Sequence, residues 1–173
     1  GIQVASTLNF PIANDTLPMK IAALKEMIKT GVDQFDFPPN PGLLLGGEEK
    51  AYFEEMRQIV EVAHASGVIV KAMLEFGYIT TPELKKKAAQ LACEAGIDWV
   101  KQSSGWGVGG CPATAEDVKI LKENITLPCR VKVSGKVNTL EKMKTMFEAG
   151  AELVGTSSGP AIVDGLVGDI NAY

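Results

Sequence analysis

The chain has 173 residues, of which 46% are hydrophobic and 22% are charged. Its 17 basic and 21 acidic residues give a net charge of −4, which argues against a nucleic-acid-binding surface and against a polybasic membrane surface. No apolar run approaches the roughly 18 residues of a membrane span, and no basic and apolar signal segment opens the chain. We therefore expect one globular domain.

Cysteine and histidine are scarce. The three cysteines, Cys93, Cys111 and Cys129, are odd in number and far apart. This pattern disfavours a disulfide framework and a Cys-rich zinc site, and it indicates reduced thiols in a cytoplasmic protein. The only histidine, His64, excludes a multi-histidine metal site. Its place before Gly67 predicts a solvated side chain in the last turn of a helix, where it compensates the helix dipole.

Apolar runs of strand length alternate with segments of helical period along the chain. The predicted strands are residues 2–9, 34–38, 68–76, 99–104, 130–135 and 153–158. The predicted helices are residues 18–30, 48–65, 82–95, 115–124, 140–149 and 160–167. Four helices end at a glycine that suits a C-terminal cap, namely Gly31, Gly67, Gly96 and Gly150.

This alternation predicts an α/β fold with a parallel sheet and crossover helices. No linker or low-complexity stretch divides residues 1–173. Six β-α units are present, whereas a closed (β/α)8 barrel has eight units and typically about 250 residues. We therefore predict an incomplete barrel of the TIM type, and an open doubly wound sheet is the alternative.

Charged residues interrupt the predicted strands. Three successive strands carry Lys71, Lys101 and Lys132, although strands covered on both faces are normally apolar. One such lysine is usually a strand-end residue that reaches solvent, but three of them favour a cluster. Asp36 and Glu75 lie on predicted strands as well. The charges therefore converge where barrel active sites lie, at the C-terminal ends of the strands.

Two neighbouring lysines and one aspartate are the minimal parts of an aldolase that needs neither a metal nor another cofactor. A second ammonium and partial burial lower the pKa of a lysine from about 10.4 toward neutrality. The free amine can then attack a carbonyl and form a Schiff base. The resulting iminium accepts electrons when a C–C bond breaks, and a carboxylate moves the protons.

Glycine-rich segments follow three of the strands. The segment GWGVGG at residues 105–110 matches the G-x-G-x-x-G pattern of dinucleotide sites, but Cys111 and Pro112 separate it from the next helix. An active-site loop is the preferred interpretation and a Rossmann site is the alternative. Residues 134–136 and 155–159 can present backbone N–H groups to a phosphate, with plain β-α loops as the alternative.

These motifs resemble the deoxyribose-phosphate aldolase family, and the similarity follows the family's order along nearly the whole chain. KQSSG at residues 101–105 is similar to the Schiff-base segment, VKVSG at 131–135 to the segment of the second lysine, and GVDQFD at 31–36 to that of the proton-relay aspartate. Lys71 and Glu75 match the family's L-K-x-x-x-E segment. Residues 9–15 resemble its early N-F-P loop, and residues 155–158 resemble its phosphate turn.

The resemblance implies a class I aldolase of deoxyribonucleotide catabolism that reversibly cleaves 2-deoxy-D-ribose 5-phosphate to acetaldehyde and glyceraldehyde 3-phosphate. It implies Lys101 as the nucleophile, with Lys132 and Asp36 as the other catalytic residues. The implied substrate-binding residues are Lys71, Gly105, Ser134, Gly135, Lys136, Gly155, Ser157 and Ser158. The expected partners are a small aldehyde or sugar phosphate and further copies of the chain in a homo-oligomer, with no nucleic acid and no membrane.

The sequence departs from the family pattern in places. The family's first β-α units are absent, and a partner chain, domain swapping or truncation would account for this. Trp106 stands where the family usually has lysine, and Asn138 where it has arginine, so we expect weaker phosphate binding. Tyr173 resembles the family's tail tyrosine. The alternatives are an aldolase for a different or unphosphorylated aldehyde, and a non-catalytic barrel fragment or binding module.

Overall fold

The computed structural model describes residues 1–105 and 111–169. The strands in these residues are β1 (Ala5–Thr7), β2 (Gln34–Phe37), β3 (Ile69–Met73), β4 (Trp99–Lys101), β5 (Arg130–Ser134) and β6 (Leu153–Gly155). The helices are α1 (Leu17–Lys29), α2 (Pro41–Leu45), α3 (Glu49–His64), α4 (Pro82–Glu94), α5 (Ala115–Glu123), α6 (Leu140–Ala149) and α7 (Gly159–Val163).

All six strands pair in parallel and in chain order, from β1 at one edge to β6 at the other. The curled sheet with helices between its strands is the incomplete TIM-type barrel predicted from the alternation of elements. The doubly wound alternative is wrong, because such a sheet reverses its strand order at a switch point and this one does not. Within the described residues β1 and β6 do not pair with each other, so the barrel stays open between them.

The strands are shorter than the apolar runs that predicted them. β1 covers three of the predicted residues 2–9, and β6 covers three of the predicted residues 153–158. The ladder stops where the chain turns into a β-α loop, so an apolar run overstates the strand. The predicted residues 68–76 nevertheless continue to pair beyond β3, since Leu74 N donates to Lys101 O and Phe76 N donates to Gln102 O, both at 2.8 Å.

Helix ends follow the sequence signals. The hydroxyl oxygens of Thr81, Thr114 and Thr139 each accept the backbone N–H three residues later. The four predicted capping glycines all have positive φ. The predicted helix at 160–167 ends at Val163, and the five-residue α2 was not predicted because so short a segment carries too little periodicity. In the described residues, no helix is both long and apolar enough to cross a membrane.

His64 is the last residue of α3, where the sequence placed it. Its side chain is 42% exposed, and its Nε2 lies 2.9 Å from the Asp98 carboxylate. This contact with the residue that precedes β4 was not predicted, because the partner lies 34 positions away in the chain.

The apolar core lies between the outer face of the sheet and the helices. Phe35 and Phe37 occupy alternate positions of β2 with ring centroids 6.0 Å apart, and both are fully buried in it. The inner side of α3 adds Tyr52 and Met56 to the same core. Because side chains alternate along a strand, Asp36 between the two phenylalanines points to the opposite face, into the barrel.

Candidate active site

Asp36 lies at the centre of a buried charge cluster. Its Oδ2 accepts hydrogen bonds from Lys132 Nζ at 2.6 Å and from Lys101 Nζ at 3.4 Å. Its Oδ1 lies 3.2 Å from Lys71 Nζ, which is an ion-pair distance without hydrogen-bond alignment. The exposed fractions of Asp36, Lys71 and Lys101 are 5%, 1% and 7%. Three cations around one carboxylate leave an excess of positive charge inside the barrel.

The register of the strands brings these side chains together. Asp36 stands opposite Lys71 across β2 and β3, and Lys101 stands opposite Lys132 across β4 and β5. Across β3 and β4, Lys101 is opposite Met73, two positions beyond Lys71. Residues at alternate positions share a face, so all four charged side chains project into the barrel. The structure thus unites the predicted cluster, and the catalytic roles of its members stay predictions.

The electrostatics of the cluster favour a neutral amine on Lys101. Burial and the neighbouring Lys132 ammonium lower the pKa of Lys101 to about 8, although Asp36 and Glu75 act in the opposite direction. Burial also lowers the pKa of Lys71. Burial alone would raise the pKa of Asp36, but the surrounding lysines outweigh it and the pKa is lowered. At pH 7 roughly a tenth of Lys101 is then a free amine beside an ionised carboxylate.

Glu75 closes the C-terminal end of β3. Its carboxylate is 2% exposed, and Oε1 accepts a hydrogen bond from Ser104 N at 3.1 Å. Burial raises the pKa of Glu75 to about 7, against the opposing effects of Ser104 and Lys101. The residue therefore lies at the site, as its strand position predicted, and it reaches the segment that follows Lys101.

Gln102 joins β4 to β5 and was missed by the sequence reasoning. Its Nε2 donates to Ser134 O, and its Oε1 accepts from Ser134 N at 3.4 Å. Gln102 is fully buried, so this two-point contact fixes the carboxyl ends of the two strands that carry Lys101 and Lys132. No sequence signal identifies it, since its partner is a backbone group 32 residues away.

A cavity of about 280 Å³ opens beside two of the site lysines. Its lining residues are Lys101, Lys132, Ser134, Gly155, Thr156 and Ser157. A Cβ atom at Gly155 would lie 3.2 Å from Ser134 Cβ and 3.4 Å from Lys132 Cε. Because residue 155 has no side chain, the Lys132 side chain can pass close to β6. The predicted phosphate turn therefore lies next to Lys101 and Lys132.

Ser158 lies behind this cavity. Its N–H donates to Thr156 Oγ1 at 3.0 Å, and Thr156 Oγ1 donates to Val137 O at 2.6 Å. Ser158 is 5% exposed and does not line the cavity. Gly155, Thr156 and Ser157 of this turn therefore line the cavity. The Ser158 N–H is used within the turn, so it is not free to bind a phosphate in this arrangement.

Gly135 holds the β4–α5 connection against β5. Its φ is +109°, and a Cβ atom there would lie 3.2 Å from Cys111 O. Gly135 O accepts a hydrogen bond from Ala113 N at 2.9 Å. Lys136, with φ of +58°, is exposed and is not among the residues that line the cavity. The predicted substrate contacts of both residues remain predictions, and the geometry assigns Gly135 a packing role.

Asn138 uses its side chain within the protein. Its Oδ1 accepts a hydrogen bond from Lys142 Nζ at 2.9 Å, and its Nδ2 lies 3.5 Å from Asp169 O. It is 4% exposed. Asn138 therefore ties the β5–α6 connection to the C-terminal segment and presents no cation to the cavity.

The glycine-rich run after β4 is described only at its first residue. Gly105 N donates to Ser103 Oγ at 2.9 Å. Trp106 and the rest of GWGVGG, and likewise Tyr173, lie outside the described residues. The dinucleotide-site alternative is wrong, because α5 begins only at Ala115 and the strand order in the described residues has no switch point.

The three cysteines are unpaired thiols. Cys93 and Cys111 are half-buried and Cys129 is buried. Burial raises the pKa of Cys129 to about 12, which leaves it unreactive. In the part of the chain that the structure describes, no three His, Cys, Asp or Glu side chains are grouped to hold a metal ion.

A second buried ion pair lies away from the cluster, between α1 and α3. Lys20 Nζ donates to Glu55 Oε1 and to Ala13 O, the latter at 2.8 Å. Glu55 Oε2 accepts from Asn40 N at 3.1 Å. The pair therefore joins two helices to the loops that follow β1 and β2. It was not predicted from the sequence.

Comparisons with known proteins converge on one family. The model of the DeoC/LacD family aldolases matches residues 3–165. A deoxyribose-phosphate aldolase of Thermococcus gammatolerans is 38% identical over 164 residues, which cover 95% of this chain and 72% of that protein. A deoxyribose-phosphate aldolase of Staphylococcus carnosus is 39% identical over 170 residues, which cover 97% of this chain and 74% of that protein. Among solved structures, the aldolase QR15 matches with a TM-score of 0.86 at 28% identity. The match covers 94% of this chain and 72% of the QR15 chain.

Proposed function

The chain belongs to the DeoC/LacD family of aldolases, and we propose that it is a class I aldolase that reversibly cleaves 2-deoxy-D-ribose 5-phosphate to acetaldehyde and glyceraldehyde 3-phosphate. One observation carries this proposal. Lys101 has a pKa lowered to about 8 by burial and by Lys132, and its Nζ lies 3.4 Å from the Asp36 carboxylate. A neutral amine next to a proton carrier is what Schiff-base chemistry requires.

Lys101 is the proposed nucleophile. In the cleavage direction its amine attacks the carbonyl carbon of the open-chain sugar, and loss of water leaves an iminium. The bond between the second and third carbons then breaks, its electrons form an enamine, and the third-carbon hydroxyl loses its proton as glyceraldehyde 3-phosphate departs. Protonation of the enamine and addition of water release acetaldehyde and regenerate the amine.

Asp36 and Lys132 are proposed to move protons and to tune Lys101. Asp36 Oδ2 is shared between Lys101 and Lys132, so one carboxylate oxygen connects the two amines. The Lys132 charge lowers the pKa of Lys101, which increases the fraction of free amine at neutral pH. Lys71 is fully buried and lies next to the other oxygen of the Asp36 carboxylate. It is proposed to keep Asp36 ionised.

The cavity beside Lys101 and Lys132 is the proposed site for the phosphorylated end of the sugar. Gly155, Thr156 and Ser157 border it together with Lys132. Asn138 is turned into the protein and Lys136 does not line the cavity, so neither adds a cation to the cavity lining. This observation favours a second candidate function, an aldolase for an unphosphorylated aldehyde, over tight phosphate recognition.

The domain organisation, the oligomeric state, the metabolic role and the cellular location remain proposals. We infer that residues 1–173 belong to one barrel domain, and within its described residues β1 and β6 leave the sheet open between them. Two further β-α units would close it. A homo-oligomer is proposed from exposed apolar side chains such as Ile12 and Val163. The proposed setting is deoxyribonucleotide catabolism in the cytoplasm, without a cofactor and without nucleic acid or membrane partners.

Borohydride trapping tests the proposed function. Acetaldehyde with borohydride is expected to add a reduced two-carbon adduct to Lys101, read by peptide mass spectrometry. Cleavage rates with 2-deoxyribose 5-phosphate and with 2-deoxyribose then identify the substrate. A wild-type protein that forms no borohydride-dependent adduct would refute the Schiff-base mechanism. A higher kcat/KM for 2-deoxyribose than for its 5-phosphate would favour the unphosphorylated substrate.

A further inference from the structure

The carboxylate of Glu75 is the one charged group at the site that the proposed mechanism does not use. It lies at the end of β3 with φ of +59°, a backbone conformation that side chains other than glycine rarely adopt. One carboxylate oxygen accepts the Ser104 N–H at 3.1 Å, while Oε2 is buried without a hydrogen-bond partner. A buried acid held in this way needs an explanation beyond packing.

Glu75 extends the pairing of β3 with β4 beyond their last strand residues. Leu74 N and Phe76 N donate to the carbonyls of Lys101 and Gln102. The Glu75 side chain then accepts the N–H of Ser104, two residues further along. The segment directly after Lys101 is therefore held by backbone bonds up to Gln102 and by the Glu75 carboxylate beyond it.

The turn that Glu75 holds leads into a predicted substrate-binding position. Gly105 N donates to Ser103 Oγ at 2.9 Å, so residues 103–105 form a compact turn next to the Ser104 contact. Loss of the acceptor would leave the Ser104 N–H without this buried partner and would loosen the turn. Displacement of this turn, which follows directly after Lys101, should lower the reaction rate, because rates fall steeply when positioning is lost.

Glu75 also acts on Lys101 through its charge. The ionised carboxylate raises the pKa of Lys101, opposite to the effect of Lys132. The other titratable groups that interact with Glu75 are Tyr52 from α3 and Cys111 from the segment before α5, and the pKa values of both are raised, mainly by burial. Lys101 is the cation whose charge acts on Glu75. It stands opposite Met73, two positions before Glu75, and its carbonyl accepts the Leu74 N–H, so the two residues lie on adjoining strand ends.

We propose that Glu75 is a positioning residue of the aldolase site, which fixes the turn at residues 103–105 through the Ser104 N–H and opposes Lys132 in setting the charge of Lys101. This inference rests on the proposed function only for the role of Lys101. The hydrogen bond to Ser104 can be tested whether or not the protein is an aldolase.

Three substitutions separate the two effects. Glu75→Gln keeps an acceptor oxygen and removes the charge, Glu75→Asp keeps the charge and withdraws the acceptor, and Glu75→Ala removes both. Glu83→Gln, at an exposed glutamate in the first turn of α4, is the matched control. Hydrogen exchange of the Ser104 amide, read by NMR, reports the contact, and the pH dependence of kcat/KM reports the charge on Lys101.

In Glu75→Gln we expect Ser104 to stay protected while the ascending limb of the pH profile moves to lower pH, because Lys101 loses a stabilising anion. In Glu75→Asp we expect faster exchange at Ser104 with the limb near its wild-type position. Glu75→Ala should show both changes and lower kcat/KM by about 10²-fold. The control should show neither.

Unchanged Ser104 exchange in Glu75→Asp and in Glu75→Ala would overturn the positioning role. An unmoved pH limb in Glu75→Gln would overturn the electrostatic role, and this variant keeps the test decisive if Glu75→Ala does not fold. Failure of the wild-type protein to form the borohydride adduct would refute the proposed function, while the exchange rates at Ser104 would still decide the contact.

Discussion

Lys20 and Lys101 are both buried lysines paired with a carboxylate, but their surroundings differ. Lys20 meets Glu55 one to one, and the two side chains make further hydrogen bonds to Ala13 O and Asn40 N. Lys101 shares a single carboxylate, that of Asp36, with two other lysines. The first pair is balanced and the second cluster carries two excess positive charges.

The difference separates a structural ion pair from a reactive one. In a one-to-one buried pair, removal of one partner leaves an uncompensated charge. Burial and the neighbouring Lys132 ammonium lower the pKa of Lys101 to about 8 and so prepare a group that changes protonation near neutral pH. Both lysines are buried, but Lys101 has a second ammonium on the same carboxylate, whereas Lys20 has its carboxylate to itself.

The largest expected effect is that of Lys101→Leu on activity. Loss of the nucleophile should abolish cleavage and borohydride trapping, a fall of at least about 10⁴-fold or 5 kcal/mol in the barrier. The free energy of unfolding should change by less than about 1 kcal/mol, because Asp36 keeps Lys132 and Lys71. Activity assays and denaturant unfolding measure the two quantities. Acetaldehyde trapping that persists in this variant would contradict the assignment.

Lys20→Met should have the opposite profile. It leaves Glu55 buried without its cation, and we expect a loss of about 3–5 kcal/mol in the free energy of unfolding. Trapping at Lys101 should persist in the folded fraction. The double variant Lys20→Met/Glu55→Leu should recover part of the stability, as a double-mutant cycle would show. An unchanged unfolding midpoint would mean that the pair contributes nothing.

Lys132→Leu tests the coupling within the cluster. Without the Lys132 ammonium the pKa of Lys101 rises, so the ascending limb of the pH profile should move to higher pH. We expect kcat to fall by roughly 10²-fold, equivalent to about 2.7 kcal/mol. The shift is opposite in sign to that expected for Glu75→Gln. A limb that stays in place would show that Lys132 does not tune the nucleophile.

The last prediction concerns the stability of Glu75→Gln as a function of pH. Because the pKa of Glu75 is raised to about 7 from 4.5, its ionisation opposes folding. This destabilisation is absent below about pH 4.5 and complete above about pH 7. Relative to the wild-type protein, the variant should therefore gain stability as the pH rises through this window. Denaturant unfolding at several pH values measures it, and a pH-independent difference would place the Glu75 pKa at its ordinary value.

The charge cluster was predictable because lysine is conspicuous in a buried parallel strand. Lys71, Lys101 and Lys132 each interrupt an apolar run, and strand ends at one edge of a barrel must converge. The same reasoning placed Asp36 between two phenylalanines. What the sequence left open was the register, which decides that Asp36 faces Lys71 directly and that Lys101 faces Lys132.

Other features had no comparable signal. Lys20 and Glu55 lie on amphipathic helices, where lysine and glutamate are common on the solvent side, so their burial depends on how α1 and α3 pack. Gln102 and Glu75 act on backbone groups about 30 residues away. A backbone partner carries no residue type, so no pattern of residues could reveal these contacts.

The match between strand order and chain order bears on synthesis. β2, with the only carboxylate of the cluster, leaves the ribosome before the strands that carry Lys71, Lys101 and Lys132. Whenever a lysine strand is available for folding, the strand with its counter-charge has therefore already been made, and the domain can fold as a unit with that anion present. In the reverse chain order, all three lysine strands would be made before the carboxylate that pairs with them. The order of the strands thus provides the anion of this cation-rich site first.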